Sequence, residues 1–245
     1  MKYDRIVEHH VKMLYKRRYG PQPTVTDIPA FDAEIARLRG LQDRCRARDE
    51  RKAAKVRWAE HVARMLGEMA FAHRVIHNRD NREPLTLMAF DIEQTLDGVL
   101  EEVGVAIIRR GVILNYNYRL AGARRAQDFH FGSTIYLQSL AAFQAVLEVH
   151  AAGVDYYAGQ SLNYDFDRLK EQGIVLPRRA VFDVGHWSTI ESDNKEMTSL
   201  EASCARHGIA TNGMHCGGND AAYTLQLMLA MIDEHIIVPQ ALAAA

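Results

Sequence analysis

Two carboxylates, Asp91 and Glu93, stand one residue apart at the end of the apolar run Leu85–Phe90. The run is long enough for one buried strand and too short for most helices. Alternate residues of a strand point to the same face, so both carboxylates project together beside the strand's end. Neighbouring carboxylates repel each other, and a divalent cation would balance them because hard cations take oxygen ligands. A loop at which both residues simply face water is the alternative.

A third carboxylate, Asp165, follows the predicted strand Val154–Ala158 at the start of a helix that opens near Leu162. The unpaired N–H groups of a first helical turn hold a carboxylate in place, either as a cap or as part of a site. Asp167 is its rival. Residues two apart lie about 200° from each other around a helix, so only one of the two can face a given site.

A histidine and a fourth carboxylate lie close together near the C-terminal end of the chain. His215 comes five residues before Asp220, and Gly217-Gly218 between them allows the backbone a tight turn. A loop histidine that faces solvent is the alternative interpretation. Each of these three pieces is weak alone, whereas their order and spacing together favour a site.

Five predicted strands would position these residues. Three come first, at 85–90, 102–108 and 112–118, and they are followed by strands at 154–158 and 180–182. Helices are predicted from near Ser133 to Gly153, from near Leu162, after the capping-box pattern Thr198-Ser-Leu-Glu201, and from Asn219 to His235. Three strands followed by alternating helices and strands predict an α/β fold, a mixed sheet with helices on its faces.

Residues 1–80 are predicted to form a helical, basic extension ahead of a domain at 85–238. Gly20–Pro23 is typical of a linker, a helix-prone stretch runs to about Ile76 as two helices or one, and the polar segment Asn78–Pro84 predicts a boundary. The extension could pack on the main domain, form a homodimer, or lie along a phosphate backbone.

The charge is divided between these two parts. Residues 1–80 hold 18 Lys and Arg against 11 Asp and Glu, and the remainder holds 12 against 20. An anionic partner for the first part and cations for the second would fit this asymmetry. Basic helices that are merely solvated would fit it as well.

The composition excludes several classes of protein. Of 245 residues, 48% are hydrophobic and 25% charged, as in an ordinary globular protein. No apolar run approaches the roughly 18 residues of a membrane span, and no signal-peptide core is found at the N-terminus. Cys45, Cys204 and Cys216 show no paired spacing and indicate free thiols. We therefore expect a cytoplasmic protein without membrane contact.

These motifs resemble those of the DEDDh 3′–5′ exonucleases of the RNase H-like superfamily, which include polymerase proofreading domains and RNase T. Asp91–Thr95 is similar to their first motif, DxExT, and Glu102–Gly104 to the EIG on the next strand. Gly159–Leu169 resembles the second motif, in which the spacing to Leu169 favours Asp165 over its rival. His215–Asp220 matches the third, HxxxxD. The resemblance covers residues 85 to about 235.

The resemblance implies an RNase H-like mixed five-stranded sheet flanked by helices, with the N-terminal helical extension added to it. It also implies a metal-dependent 3′–5′ exonuclease that acts on the 3′ ends of single-stranded DNA or RNA. Two Mg²⁺ or Mn²⁺ ions would be held by Asp91, Glu93, Asp165 and Asp220, with His215 as the general base. Gln94 and Thr95 would contact the terminal nucleotide.

One departure concerns the second motif, which often carries His-Asn before its aspartate. This chain has Gln160 and then Asn163-Tyr164, so substrate contacts carry over less well than the metal ligand. A catalytically silent nucleic-acid-binding or protein-interaction module on the same fold is the alternative function, and a metal-dependent phosphatase or endonuclease is a more distant one. The presence of all five site residues favours the enzyme.

Overall fold

The computed structural model describes residues 8, 9, 11–13, 28–77, 85–124, 127–192 and 195–243. The chain divides into two compact units, residues 1–63 and residues 64–245. The predicted linker Gly20–Pro23 and the predicted boundary Asn78–Pro84 lie outside the described residues.

The helix-prone stretch of the extension forms one helix, α1 (Ile28–His77), of 50 residues. Of the two arrangements predicted, the single long helix is the one observed. In the first unit its charged residues between 43 and 57 are exposed. In the second unit Met65, Met69 and Ala72 are fully buried and belong to the core. The buried apolar residues of α1 therefore lie in its C-terminal part, and its charged residues between 43 and 57 face solvent.

A six-stranded mixed sheet forms the centre of the second unit. Its strands are β1 (Thr86–Gln94), β2 (Leu100–Arg109), β3 (Val112–Leu120), β4 (Thr134–Leu137), β5 (Tyr156–Gly159) and β6 (Ala180–Asp183). The order across the sheet is β4-β3-β2-β1-β5-β6. Strands β1, β2 and β3 run antiparallel, and the pairs β3–β4, β1–β5 and β5–β6 are parallel. The predicted RNase H-like α/β fold class is confirmed, with one strand more than the five expected.

The additional strand is β4, and it corrects the helix predicted from near Ser133. Its sequence Thr-Ile-Tyr-Leu is rich in β-branched and aromatic residues, which favour strands, and it pairs with β3 through Asn117 and Thr134. Helix α2 (Leu140–Ala151) begins only after Ser139, whose side chain accepts a hydrogen bond from the amide of Ala142.

The central strand β1 is covered on both faces. Leu87 and Ala89 belong to one apolar cluster, and Met88, Phe90 and Ile92 to a second cluster on the opposite face. Burial on both faces explains why the strand is continuously apolar in sequence.

Five helices of the second unit accompany the sheet: α2, α3 (Leu162–Glu171), α4 (Val184–Ser188), α5 (Leu200–Arg206) and α6 (Gly217–Ala243). Helix α6 packs against β1, β2 and β3. Among the residues that the structure describes, none of the helices has both the length and the apolar character needed to cross a bilayer.

Candidate metal centre

Strand β1 places Asp91 and Glu93 at the edge of the candidate site. They are paired across the antiparallel ladder with Gly104 and Glu102 of β2, and the register shifts directly after Glu93. Ile92 between them points to the apolar cluster on the other face. Glu93 is buried and Asp91 is half-buried, so the strand's alternation brings two acidic side chains to one partly water-excluded position.

Asp165 lies in the first turn of α3 and is buried. The chain enters this helix through Ser161, which adopts a left-handed conformation with φ of 60°. Oδ1 of Asp183, at the end of β6, accepts hydrogen bonds from the amides of Ser161 at 3.1 Å and Gly185 at 3.0 Å. Asp183 thus fixes the entry to α3 and caps α4, which is a structural role, whereas Asp167 is exposed.

Asp220 is carried by the first turn of α6, and this turn is held against β2 by an unusually close backbone contact. An ideal Cβ added to Gly104 would lie 1.9 Å from the carbonyl carbon of Gly217, so only glycine fits at position 104. The amides of Gly217 and Gly218 donate to Glu102 Oε1 at 2.7 Å and Asn117 Oδ1 at 3.0 Å. These bonds satisfy amides that a helix start leaves without intrahelical partners.

Glu102 of β2 is fully buried and connects the start of α6 with Arg119 of β3. Besides the amide of Gly217, it binds Arg119, whose Nε lies 2.5 Å from its Oε2. The Arg119 guanidinium also donates to the carbonyl of Gln127 at 2.8 Å. The glutamate of the second strand therefore positions the helix that carries Asp220, and its own charge is compensated by Arg119.

The structure brings together five predicted site residues from β1, from the first turns of α3 and α6, and from the loop before α6. One ligand atom from each of Glu93, His215 and Asp220 lies within 4.8 Å of the others. Burial and the charges of Asp165, Asp220 and Glu93 raise the pKa of Asp91 well above its usual value. Burial, followed by the charges of Asp183 and Glu93, raises the pKa of Asp165 to about 8. The carboxylates are close enough to disfavour one another's charge, as expected for a site that binds cations.

A cavity of about 260 Å³ opens beside these residues. Four of the five predicted residues line it, Asp91, Glu93, His215 and Asp220. Gln94 and Thr95 do not line this cavity. The hydroxyl of Thr95 accepts a hydrogen bond from the amide of Val99 at 2.9 Å, within the turn that follows β1.

The cavity also contains residues that the sequence did not indicate: Gln160, Ser199, Leu200, Glu201 and Met214. Three of them form the start of α5. The sequence pattern predicted Thr198 as the cap of this helix, with Glu201 completing a capping box. Instead Ser199 is the N-cap and accepts from the amide of Ala202, which leaves Glu201 at the cavity. The Gln160 side chain donates to the carbonyl of Thr198 at 2.7 Å and holds this segment beside β5.

Residues 122–231 match the family model described as DNA polymerase III subunit epsilon-like, C-terminal domain. Over these residues the chain is similar to the DEDDh exonuclease family. Asp165, His215 and Asp220 lie within the matched residues. Asp91 and Glu93 precede the matched residues and lie on β1. No curated protein matches the chain significantly.

The donor set of this site fits divalent metal ions, which DEDDh exonucleases generally use. Four carboxylates supply the oxygen ligands that hard cations prefer. Burial and the neighbouring carboxylates raise the pKa of both Asp91 and Asp165, which disfavours their charged forms. A bound cation would favour the charged forms.

Proposed function

We propose that this protein is a metal-dependent 3′–5′ exonuclease that hydrolyses phosphodiester bonds at the 3′ ends of single-stranded DNA or RNA. The observation that carries the proposal is the convergence of four carboxylates and one histidine from three secondary-structure elements and one loop. This convergence occurs in a chain that is similar to the DEDDh exonuclease family over residues 122–231.

The proposed metal ligands are Asp91, Glu93, Asp165 and Asp220, which would hold two Mg²⁺ or Mn²⁺ ions. Such ions, when bound, supply the positive charge that stabilises the attacking and leaving oxygens of an in-line displacement. The protein's contribution is the fixed position of the ligands. Strand β1 lies within the sheet. The start of α3 is held by Asp183 of β6, and the start of α6 by Glu102 of β2 and Asn117 of β3.

His215 is the proposed general base. Its side chain is exposed and lines the cavity, so it can accept a proton from an attacking water and pass it to solvent. An imidazole is suited to this step because its ordinary pKa lies near neutrality.

The cavity suits one end of a polymer. At about 260 Å³ it lies below the roughly 300–1,000 Å³ of clefts that enclose drug-sized ligands. Leu200 and Met214 offer apolar surface to a base, and Ser199 offers a hydroxyl group to a sugar. Gln94 and Thr95, just beyond the metal ligands on β1, remain proposed contacts to the terminal nucleotide.

The basic extension is the proposed second contact to nucleic acid. The Arg and Lys residues of α1 between positions 44 and 57 are exposed. The phosphates of a longer substrate would be a suitable partner for them, and a homodimer through the N-terminal helices is the competing role.

The decisive experiment uses 5′-labelled single-stranded DNA, single-stranded RNA and a dinucleotide, each with Mg²⁺, Mn²⁺ or EDTA. We expect stepwise shortening from the 3′ end with metal and none with EDTA. Asp165→Asn should abolish the reaction, while the matched variant Asp167→Asn, on the same helix but exposed, should retain it. Nucleic-acid binding without cleavage in every metal would instead support the catalytically silent module. Internal cleavage would support an endonuclease.

A further inference from the structure

A second cluster of ligand-type side chains lies on the helices of the second unit. His73 and His77 of α1 and Asp233 of α6 each offer one ligand atom, and these atoms lie within 4.8 Å of one another. None of the three belongs to the nuclease centre. We propose that they form a separate binding site for a transition-metal ion, of which Zn²⁺ is the best fit.

The positions of the three residues are fixed by core packing. Met69 and Ala72 of α1 and Met231 and Ile232 of α6 belong to the same buried cluster, and Ile76 packs against it. His73 and His77 are four residues apart and therefore share one face of α1, beside the buried stripe. Asp233 directly follows Ile232, so the packing of the two helices brings the ligands together.

The distance between two of the ligand atoms already suits a tetrahedral ion. Nε2 of His77 lies 3.1 Å from Oδ1 of Asp233. Zn²⁺ bonds of roughly 2.0–2.1 Å to nitrogen and oxygen place tetrahedral ligand atoms about 3.3 Å apart. One ligand atom of His73 lies within 4.8 Å of both of these atoms, and the two imidazole ring centroids are 4.5 Å apart.

The ligand types select the metal. Two imidazoles and one carboxylate, with a fourth position for water, are a common combination at zinc sites. Mg²⁺ and Mn²⁺ prefer oxygen ligands, which the nuclease centre supplies in greater number. The two centres would therefore bind different ions from the same solution.

An ion pair between protonated His77 and Asp233 is the simpler interpretation of the 3.1 Å contact. A cation at the C-terminal end of α1, where His77 is the last residue, is also favoured by the helix dipole. This interpretation does not account for His73. The two rings lie 4.5 Å apart, and one metal ion would engage both of them together with Asp233.

The proposed metal would fasten the last turn of α1 to α6. Asp233 is 13 residues beyond Asp220 on the same helix, which at about 1.5 Å per residue is about 20 Å along its axis. The site is thus remote from the nuclease chemistry and acts on stability. An ion that binds only the folded state stabilises it in proportion to the logarithm of its concentration.

The first test measures Zn²⁺ binding to the full-length chain in excess Mg²⁺, by competition with a chromophoric chelator. His77→Gln should remove one Zn²⁺ equivalent or weaken its binding by at least about 10–100-fold, the loss typical even of residues that only support a metal ligand. His61→Gln, on the same helix but outside the cluster, is the control. Mg²⁺-dependent nuclease activity should be unchanged in both variants. Equal Zn²⁺ binding by the wild type and His77→Gln would overturn the proposal.

The second test needs no variant. Diethyl pyrocarbonate modifies accessible imidazoles, and mass spectrometry identifies the modified residues. Zn²⁺ should protect His73 and His77 in the wild-type chain and leave the modification of the exposed His130 unchanged. Equal modification of His73 and His77 with and without Zn²⁺ would show that the cluster is only an ion pair.

Discussion

The backbone amide of His215 donates a hydrogen bond of 3.0 Å to Oδ2 of Asp220. The proposed base is therefore attached to a proposed metal ligand through its main chain, and its imidazole is not needed for this contact. His215 adopts a left-handed conformation with φ of 64°, which bends the chain over the start of α6. The side chain can consequently be replaced without breaking the contact, provided that the new residue tolerates this conformation.

His215→Asn is the replacement that this backbone allows, because asparagine enters the left-handed region more readily than most residues. Turnover should fall by about 10²–10⁴-fold, the usual contribution of general-base catalysis. Affinity for Mn²⁺ and for nucleic acid should change little, as isothermal titration and filter binding would show. A parallel loss of Mn²⁺ affinity would make His215 a metal ligand. Normal turnover would remove it from the mechanism.

Stability of the metal-free protein should fall as the pH rises. The pKa of Asp165 is raised to about 8, and that of Asp91 is also raised, from an ordinary value of 3.8. Between about pH 4 and pH 8 the folded state therefore holds more protons than the unfolded state, so raising the pH favours unfolding. Thermal unfolding in EDTA should show a melting temperature that decreases through this window.

Two controls accompany the pH series. Mn²⁺ should remove most of the decrease, because the cation compensates the carboxylates, and Asp165→Asn in EDTA should flatten the curve. A melting temperature in EDTA that is constant from about pH 5 to pH 8 would contradict the raised pKa values of Asp91 and Asp165.

Gly104→Ala should damage both stability and activity. The added methyl group would overlap the backbone of Gly217, and overpacking of this kind typically destabilises by about 1–3 kcal/mol. The start of α6 would have to move, and Asp220 with it. Gly67→Ala is the matched control: no atom of the described residues lies within 4 Å of the added group, and alanine favours helices by up to about 1 kcal/mol. Urea unfolding and the nuclease assay would compare them.

Neutralising the exposed basic residues of α1 should weaken nucleic-acid binding if the extension contacts phosphates. A variant with Arg44, Arg48, Arg51 and Lys55 changed to Gln keeps the helix, because glutamine is a good helix former. For single strands, the slope of log affinity against log salt should become shallower by about 0.7 for each phosphate that the variant no longer neutralises. An unchanged slope, measured by fluorescence anisotropy, would leave the extension to packing or dimerisation.

Local patterns indicated the proposed metal ligands but not the other residues that line the cavity. Asp91 and Glu93 could be paired from the sequence because strand alternation places them on one face. Asp165, His215 and Asp220 could be proposed as site residues because each belongs to a motif of few consecutive residues. Strand β4 was mistaken for a helix start because four residues at the edge of a sheet carry little periodic signal. The strand is defined by its hydrogen bonds to β3, which the sequence of these four residues does not reveal.

Residues that act through distant contacts had no local signal. Glu201 belongs to a pattern that marks a helix start, and only the tertiary structure shows that Ser199 takes over the cap. The four-residue spacing of His73 and His77 is visible in the sequence, but their contact with Asp233 depends on the packing of α1 against α6.

The crowded carboxylates also determine what a calorimeter would record when the metals bind. Because the pKa of Asp165 is about 8, a cation that arrives at neutral pH must displace a proton, which the buffer then takes up. The measured heat therefore includes the buffer's own heat of protonation, which differs between phosphate and Tris. A plot of the apparent enthalpy against the ionisation enthalpy of the buffer should have a negative slope, whose magnitude is the number of protons released for each chain that binds metal.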